Sequence, residues 1–138
     1  MSAGESTLAA RIDRKAALMA HGDITHIDIP VSDLMKGAEF YSALFGWQIS
    51  APPGFEDYPM WHAPNGISGG GLAPRSDGFT QPRSYVEVDS IDDTIEKAVA
   101  AGGSVAMAKG NITEKSWWAV IVDPDGNHIG LFEGTTDQ

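Results

Sequence analysis

His26–Trp47 reads HIDIPVSDLMKGAEFYSALFGW, and Arg83–Ser104 reads RSYVEVDSIDDTIEKAVAAGGS. The second stretch starts 57 residues after the first (83 − 26 = 57). At that offset Ile29 falls on Val86, Val31 on Val88, Leu34 on Ile91 and Gly46 on Gly103. Each copy is an alternating strand, then a helix, then a glycine stop, and repetition of one supersecondary unit restricts the fold. In the first strand Ile27, Ile29 and Val31 share one face, and His26, Asp28 and Pro30 share the other. Ser32 or Asp33 caps a helix whose Leu34, Ala38, Tyr41 and Phe45 form a sheet-packing stripe, and Gly46 ends it. In the second copy Ser84, Val86 and Val88 oppose Arg83, Tyr85 and Glu87. Its helix runs from about Ile91 to Ala101, capped by Ser90 or Asp92 and stopped at Gly102-Gly103.

Short strands follow each helix. In the first unit they are expected at Trp47–Ser50, Tyr58–His62 and Ile67–Ala73. In the second they are expected at Ser104–Ala108, Ser116–Asp123 and His128–Glu133, with a loop near Gly110-Asn111. Two proline-glycine turns, Ala63-Pro64-Asn65-Gly66 and Asp123-Pro124-Asp125-Gly126, separate the last two strands of each unit. These late elements register at an offset of 60, which places Pro64 on Pro124 (64 + 60 = 124) and Gly70 on Gly130. The order is β-α-β-β-β, twice. The expected class is α+β: two tandem βαβββ units forming curved mixed sheets around a cleft. Residues 1–22 form an N-terminal arm, helical or flexible, with Leu8, Ile12, Ala16 and Met19 on one stripe. Residues 23–138 form one domain: unit one 23–74, connector 75–82, unit two 83–134.

Composition bounds the function. Nine basic and nineteen acidic residues give a net charge of −10, which repels phosphate backbones and anionic headgroups, so neither nucleic acid nor membrane is an expected partner. The absence of cysteine removes disulfides, thiolate metal sites and cysteine nucleophiles. No apolar run reaches membrane-spanning length, and Arg11, Asp13, Arg14 and Lys15 interrupt any leader-like core. A cytoplasmic protein is expected. Gly69-Gly70-Gly71 lacks the Lys-Ser and helix start of a phosphate loop. The acidic run Asp89 to Asp93 suits a helix N-terminus.

Three stretches together, HIDIPVSD, EFYSALFGW and DPDGNHIGLFE, resemble the vicinal oxygen chelate superfamily, which includes glyoxalase I, bleomycin resistance proteins, methylmalonyl-CoA epimerase and extradiol dioxygenases. The resemblance covers about Asp23 to Gly134. In metal-dependent members it implies ligands early in each unit's first strand and a carboxylate in each fourth strand. Carried over residue by residue, those positions are His26, Arg83, Gly70 and Gly130. Only His26 can ligate a divalent ion, which needs several nitrogen or oxygen donors. No metal and no cofactor is therefore expected. A shifted site drawn from His26, Asp28, Glu87 and His128 is the alternative.

The candidate ligand-binding residues are His26, Asp28, Trp61, Arg83, Tyr85, Glu87, Trp118, His128 and Phe132. Arg83 can clamp a carboxylate or phosphate, or be neutralised internally by Asp28 or Glu87. Tyr85, Phe132 and one of the adjacent pair Trp117 and Trp118 give an apolar wall suited to a planar ligand. At the 57-residue offset Trp61 matches Trp118 (61 + 57 = 118). The expected function is metal-independent binding of a planar or ring-bearing, possibly anionic, small molecule. The rivals are a superfamily enzyme, by acid-base chemistry at His26 or at a non-standard metal site, and an interaction protein with a vestigial cleft. A homodimer is expected from the duplicated layout and the arm.

Overall fold

The computed structural model describes residues 20–134; all but the last three residues of the expected N-terminal arm, helical or flexible, lie outside them. The described chain forms two compact units, one built on Thr25–Pro82 and one on Arg83 onward with the short 20–24 segment. Each has the order β-α-β-β-β, as the repeat predicts. The elements of the first are β1 (Ile24–Val31), α1 (Leu34–Phe45), β2 (Gln48–Ser50), β3 (Met60–His62) and β4 (Gly69–Pro74). Those of the second are β5 (Arg83–Glu87), α2 (Ile91–Ala100), β6 (Ser104–Thr113), β7 (Ser116–Val122) and β8 (His128–Gly134). The class is α+β.

In unit one the strands lie in the order β2-β3-β4-β1. β1 and β4 are parallel, and the other neighbours antiparallel. Asp33 is the N-cap of α1, its carboxylate accepting the Lys36 N–H at 3.0 Å. Gly46 closes the helix at φ 71°, a left-handed conformation that a side chain would strain. Tyr41 of α1 stacks on Trp47 and Phe45 lies tilted against it; the Trp47 ring lies 3.7 Å from that of Trp61 and nearly parallel to it. Trp61 (4% exposed) and Leu72 (0%) are the buried centre of this unit.

In unit two the order is β5-β8-β7-β6, with β5 and β8 parallel. Ser90 caps α2 by accepting the Asp93 N–H, and Glu133 of β8 accepts the Ile91 N–H at 2.7 Å. Val88, Ile91, Ala119 and Leu131 form the core beneath α2, joined by Val86, Ile95, Trp117 and Ile121. The 20–24 segment is tied to the end of β5: Gly22 N–H donates to Glu87 O, and Glu87 N–H to Asp23 O.

Several boundaries differ from expectation; β2 and β4, for example, begin at Gln48 and Gly69. β3 begins at Met60, so Tyr58 precedes the strand. β6 continues through the expected Gly110-Asn111 loop to Thr113, because three register shifts against β7 absorb the irregularity without ending the pairing. No helix among the described residues is long and apolar enough to cross a membrane.

Candidate functional site

Strand alternation sends half of each sheet's side chains away from its helix. In unit one that face carries His26 and Asp28. Asp28 pairs in register with Gly71, which pairs with Met60. A Cβ on Gly71 would collide with the Tyr58 ring, so this glycine is the cradle that lets the phenol lie against the strand. The Tyr58 hydroxyl donates to Asp28 Oδ1 and also contacts His26 Nε2. His26 Nε2 lies 2.7 Å from Asp28 Oδ1, and its ring is near-parallel to that of Tyr58. With Tyr58 donating to Asp28, His26 Nε2–H donates to the same carboxylate oxygen in any form of the ring that carries a proton on Nε2. The His26 side chain is 31% exposed and that of Asp28 13%, so the imidazole stays reachable while the carboxylate behind it is largely shielded. Imidazole, carboxylate and phenol thus form one hydrogen-bonded group.

In unit two the corresponding face carries Tyr85, paired in register with Gly130 and then Val120, and Glu87, paired with Phe132 and then Trp118. A Cβ on Gly130 would collide with the Tyr85 ring, so a tyrosine again lies over a fourth-strand glycine. Tyr85 is buried, and its ring lies 6.2 Å from that of Trp118. Glu87 is 7% exposed. Its Oε1 is buried with no hydrogen-bond partner among the described residues. Burial pushes its carboxyl up to about 7, and the like charges of Asp89 and Asp23 push the same way. Arg83 and His128 share the strand parity of this face, and His128 is exposed at the first residue of β8.

Trp61, expected on the ligand face, points instead to α1. It pairs in register with Gly70, opposite Ile27, and its indole N–H reaches the Ile27 carbonyl at 3.3 Å. Trp61 and Trp118 are therefore not equivalent. Met60 pairs with Gly71 as Val120 pairs with Gly130, so the offset in the third strand is 60 (120 − 60 = 60). At that offset Tyr58, absent from the expected site, matches Trp118 (58 + 60 = 118). The offset already visible in the Pro64 and Pro124 turns was the signal that could have found it. The same pairing corrects the fourth strand. A Cβ on Gly70 would meet the Ile27 carbonyl and Trp61 on the helix side, so Gly71 is the counterpart of Gly130.

The donor positions implied by the family resemblance thus hold His26, Arg83, Gly71 and Gly130. Neither glycine site has room for a ligating side chain, because a tyrosine ring occupies each. Arg83 is a cation. This set does not fit a divalent ion. Among the described residues no group of three or more His, Asp or Glu side chains is placed to hold one.

Residues 23–132 match the glyoxalase-like domain family. The chain is 30% identical over 115 residues to the glyoxylase candidate CFP32 of Mycobacterium bovis, an alignment covering 78% of this chain and 44% of the relative. It therefore spans less than half the length of that relative. A glyoxylase-like domain-containing protein of Didymella fabae is 31% identical over 94 residues, covering 62% of this chain and 73% of that one. Among solved structures, methylmalonyl-CoA epimerase from Mycobacterium tuberculosis superposes with a TM-score of 0.60 at 18% identity, covering 83% of this chain and 88% of the other. A glyoxalase/bleomycin resistance protein/dioxygenase superfamily member from Vibrio splendidus gives 0.58 at 10% identity, covering 80% and 97%. At such identities the two structures establish a shared fold.

Proposed function

The chain belongs to the glyoxalase-like domain family, and from that premise we propose that it binds a small planar or ring-bearing molecule without the help of a metal ion. One observation carries this reading: tyrosine rings lie over Gly71 and Gly130, where the superfamily resemblance implies carboxylates in metal-dependent members. The same sheet faces offer aromatic area beside a few polar groups, the composition of a small-molecule site. In unit one these are Tyr58 with His26 and Asp28. In unit two they are Tyr85, Trp118 and Phe132 with Arg83 and Glu87. Arg83 would serve a ligand that carries a carboxylate or phosphate.

A second reading is favoured by a specific observation. His26, Asp28 and Tyr58 are hydrogen-bonded to one another, and this group could pass a proton to or from a bound substrate, making the protein an isomerase or lyase. The name of the mycobacterial relative points toward an enzyme as well.

The test is tryptophan fluorescence quenching across a panel of aromatic metabolites, with and without a strong chelator, in wild type, His26→Ala and Tyr58→Phe. Saturable quenching that survives chelation and leaves the ligand chemically unchanged supports the binder. Turnover that disappears in His26→Ala selects the enzyme. Binding abolished by the chelator and restored by a metal would overturn the metal-free proposal. The proposed assembly is a homodimer, checked by sedimentation equilibrium.

A further inference from the structure

We infer that the ligand carries a protonated amine, and that Glu87 receives it against the rings of Trp118 and Phe132. This rests on the small-molecule-binding reading above and adds the chemical class of the ligand. The argument begins with an unmet need. Glu87 is more than nine-tenths buried, and its Oε1 has no hydrogen-bond partner among the described residues. A buried carboxyl oxygen left unpaired is costly, so one that persists in a fold calls for a missing partner. Its position is built by the sheet: Glu87 pairs in register with Phe132, and Phe132 with Trp118, all three on the face turned away from α2.

The sign of the partner follows from the surroundings. The charges that bear on Glu87 come from Asp23, in the segment hydrogen-bonded to the end of β5, and from Asp89, two residues further along the chain. Both are negative. The in-register neighbours on β8 and β7 are aromatic and bring no charge. A neutral donor would satisfy the orphaned oxygen's geometry, but a cation would also relieve the repulsion among three carboxylates. Indole and phenyl faces beside a carboxylate attract organic cations through the ring quadrupole, and they cover the hydrocarbon body that such amines carry.

The test uses three naphthyl probes of similar size and different charge: naphthylmethylamine, naphthalenemethanol and the naphthaleneacetate anion. Each is titrated by calorimetry into wild type, Glu87→Gln and Trp118→Ala at pH 6 and pH 8. The expected result is that wild type at pH 8 prefers the amine over the alcohol by about tenfold or more, as a charge-assisted hydrogen bond would give. The preference should shrink at pH 6 and vanish in Glu87→Gln. Trp118→Ala should weaken both amine and alcohol. Equal affinity of wild type for amine and alcohol, or a preference for the amine that persists in Glu87→Gln, would overturn the inference. Tight binding of the acetate with no amine preference would sink the amine while leaving the binding module standing. If no probe and no metabolite of the wider panel binds, both fall.

Discussion

Replacing Glu87 with Gln should abolish a specific dependence of stability on pH. The carboxyl stands at about 7 in the folded protein against 4.5 for the free side chain. A raised pKa means that the folded state holds the proton more tightly than the unfolded chain does. The resulting stabilisation is complete below about pH 4.5 and is lost as pH rises through 7. The difference of 2.5 (7 − 4.5 = 2.5) is worth about 3 kcal/mol at 1.36 kcal/mol per unit. For a domain of this size that corresponds to roughly 10 °C in melting temperature. Glutamine has nearly the same shape and never ionises. Melting curves of wild type and Glu87→Gln, followed by circular dichroism from pH 4 to pH 8.5, should diverge as pH rises, the variant ending about 10 °C higher. The other carboxylates titrate in both proteins and cancel in the difference, while any fixed cost of the amide shifts one curve without changing its slope. Two curves that stay parallel across the range would refute the claim that Glu87 is desolvated and crowded by like charge.

Other changes should act through packing and hydrogen bonds. Trp61→Ala removes the ring stacked on Trp47 and should cost about 3–5 kcal/mol in urea unfolding. Gly130→Ala drives a methyl into the Tyr85 ring and should cost about 1–3 kcal/mol by the same measurement. Tyr58→Phe withdraws the hydroxyl bonded to Asp28 and close to His26, at a cost of about 1–3 kcal/mol. NMR chemical shifts of the His26 ring should change in the variant, whereas unchanged shifts would mean that the phenol does not contact the imidazole.

The strands and helices were legible because they rest on local signals: alternation in β1 and β5, Asp33 and Ser90 as caps, Gly46 as the left-handed stop. The long reach of β6 was not, since Gly110 and Asn111 look like a turn and stay paired only because β7 supplies partners across register shifts. Much of the candidate site was visible in strand parity, which placed His26 with Asp28, and Tyr85 with Glu87. Tyr58 escaped because it sits in the loop before β3, where no alternation marks a face. Trp61 was misplaced because the repeat offset changes from 57 to 60 between first and third strands. A slip of an odd number of residues inverts the face. The tyrosines filling the spaces over Gly71 and Gly130 belong to long-range packing, beyond what one strand's pattern can reveal.

The most direct test of metal-free recognition is a calorimetric titration of chelator-treated protein with Zn, Ni, Mn and Fe(II), repeated with His26→Ala. The donor set at His26, Arg83, Gly71 and Gly130 predicts no stoichiometric uptake of any of them and the same weak background in the variant. Tight binding of one equivalent that disappears when His26 is removed would contradict it.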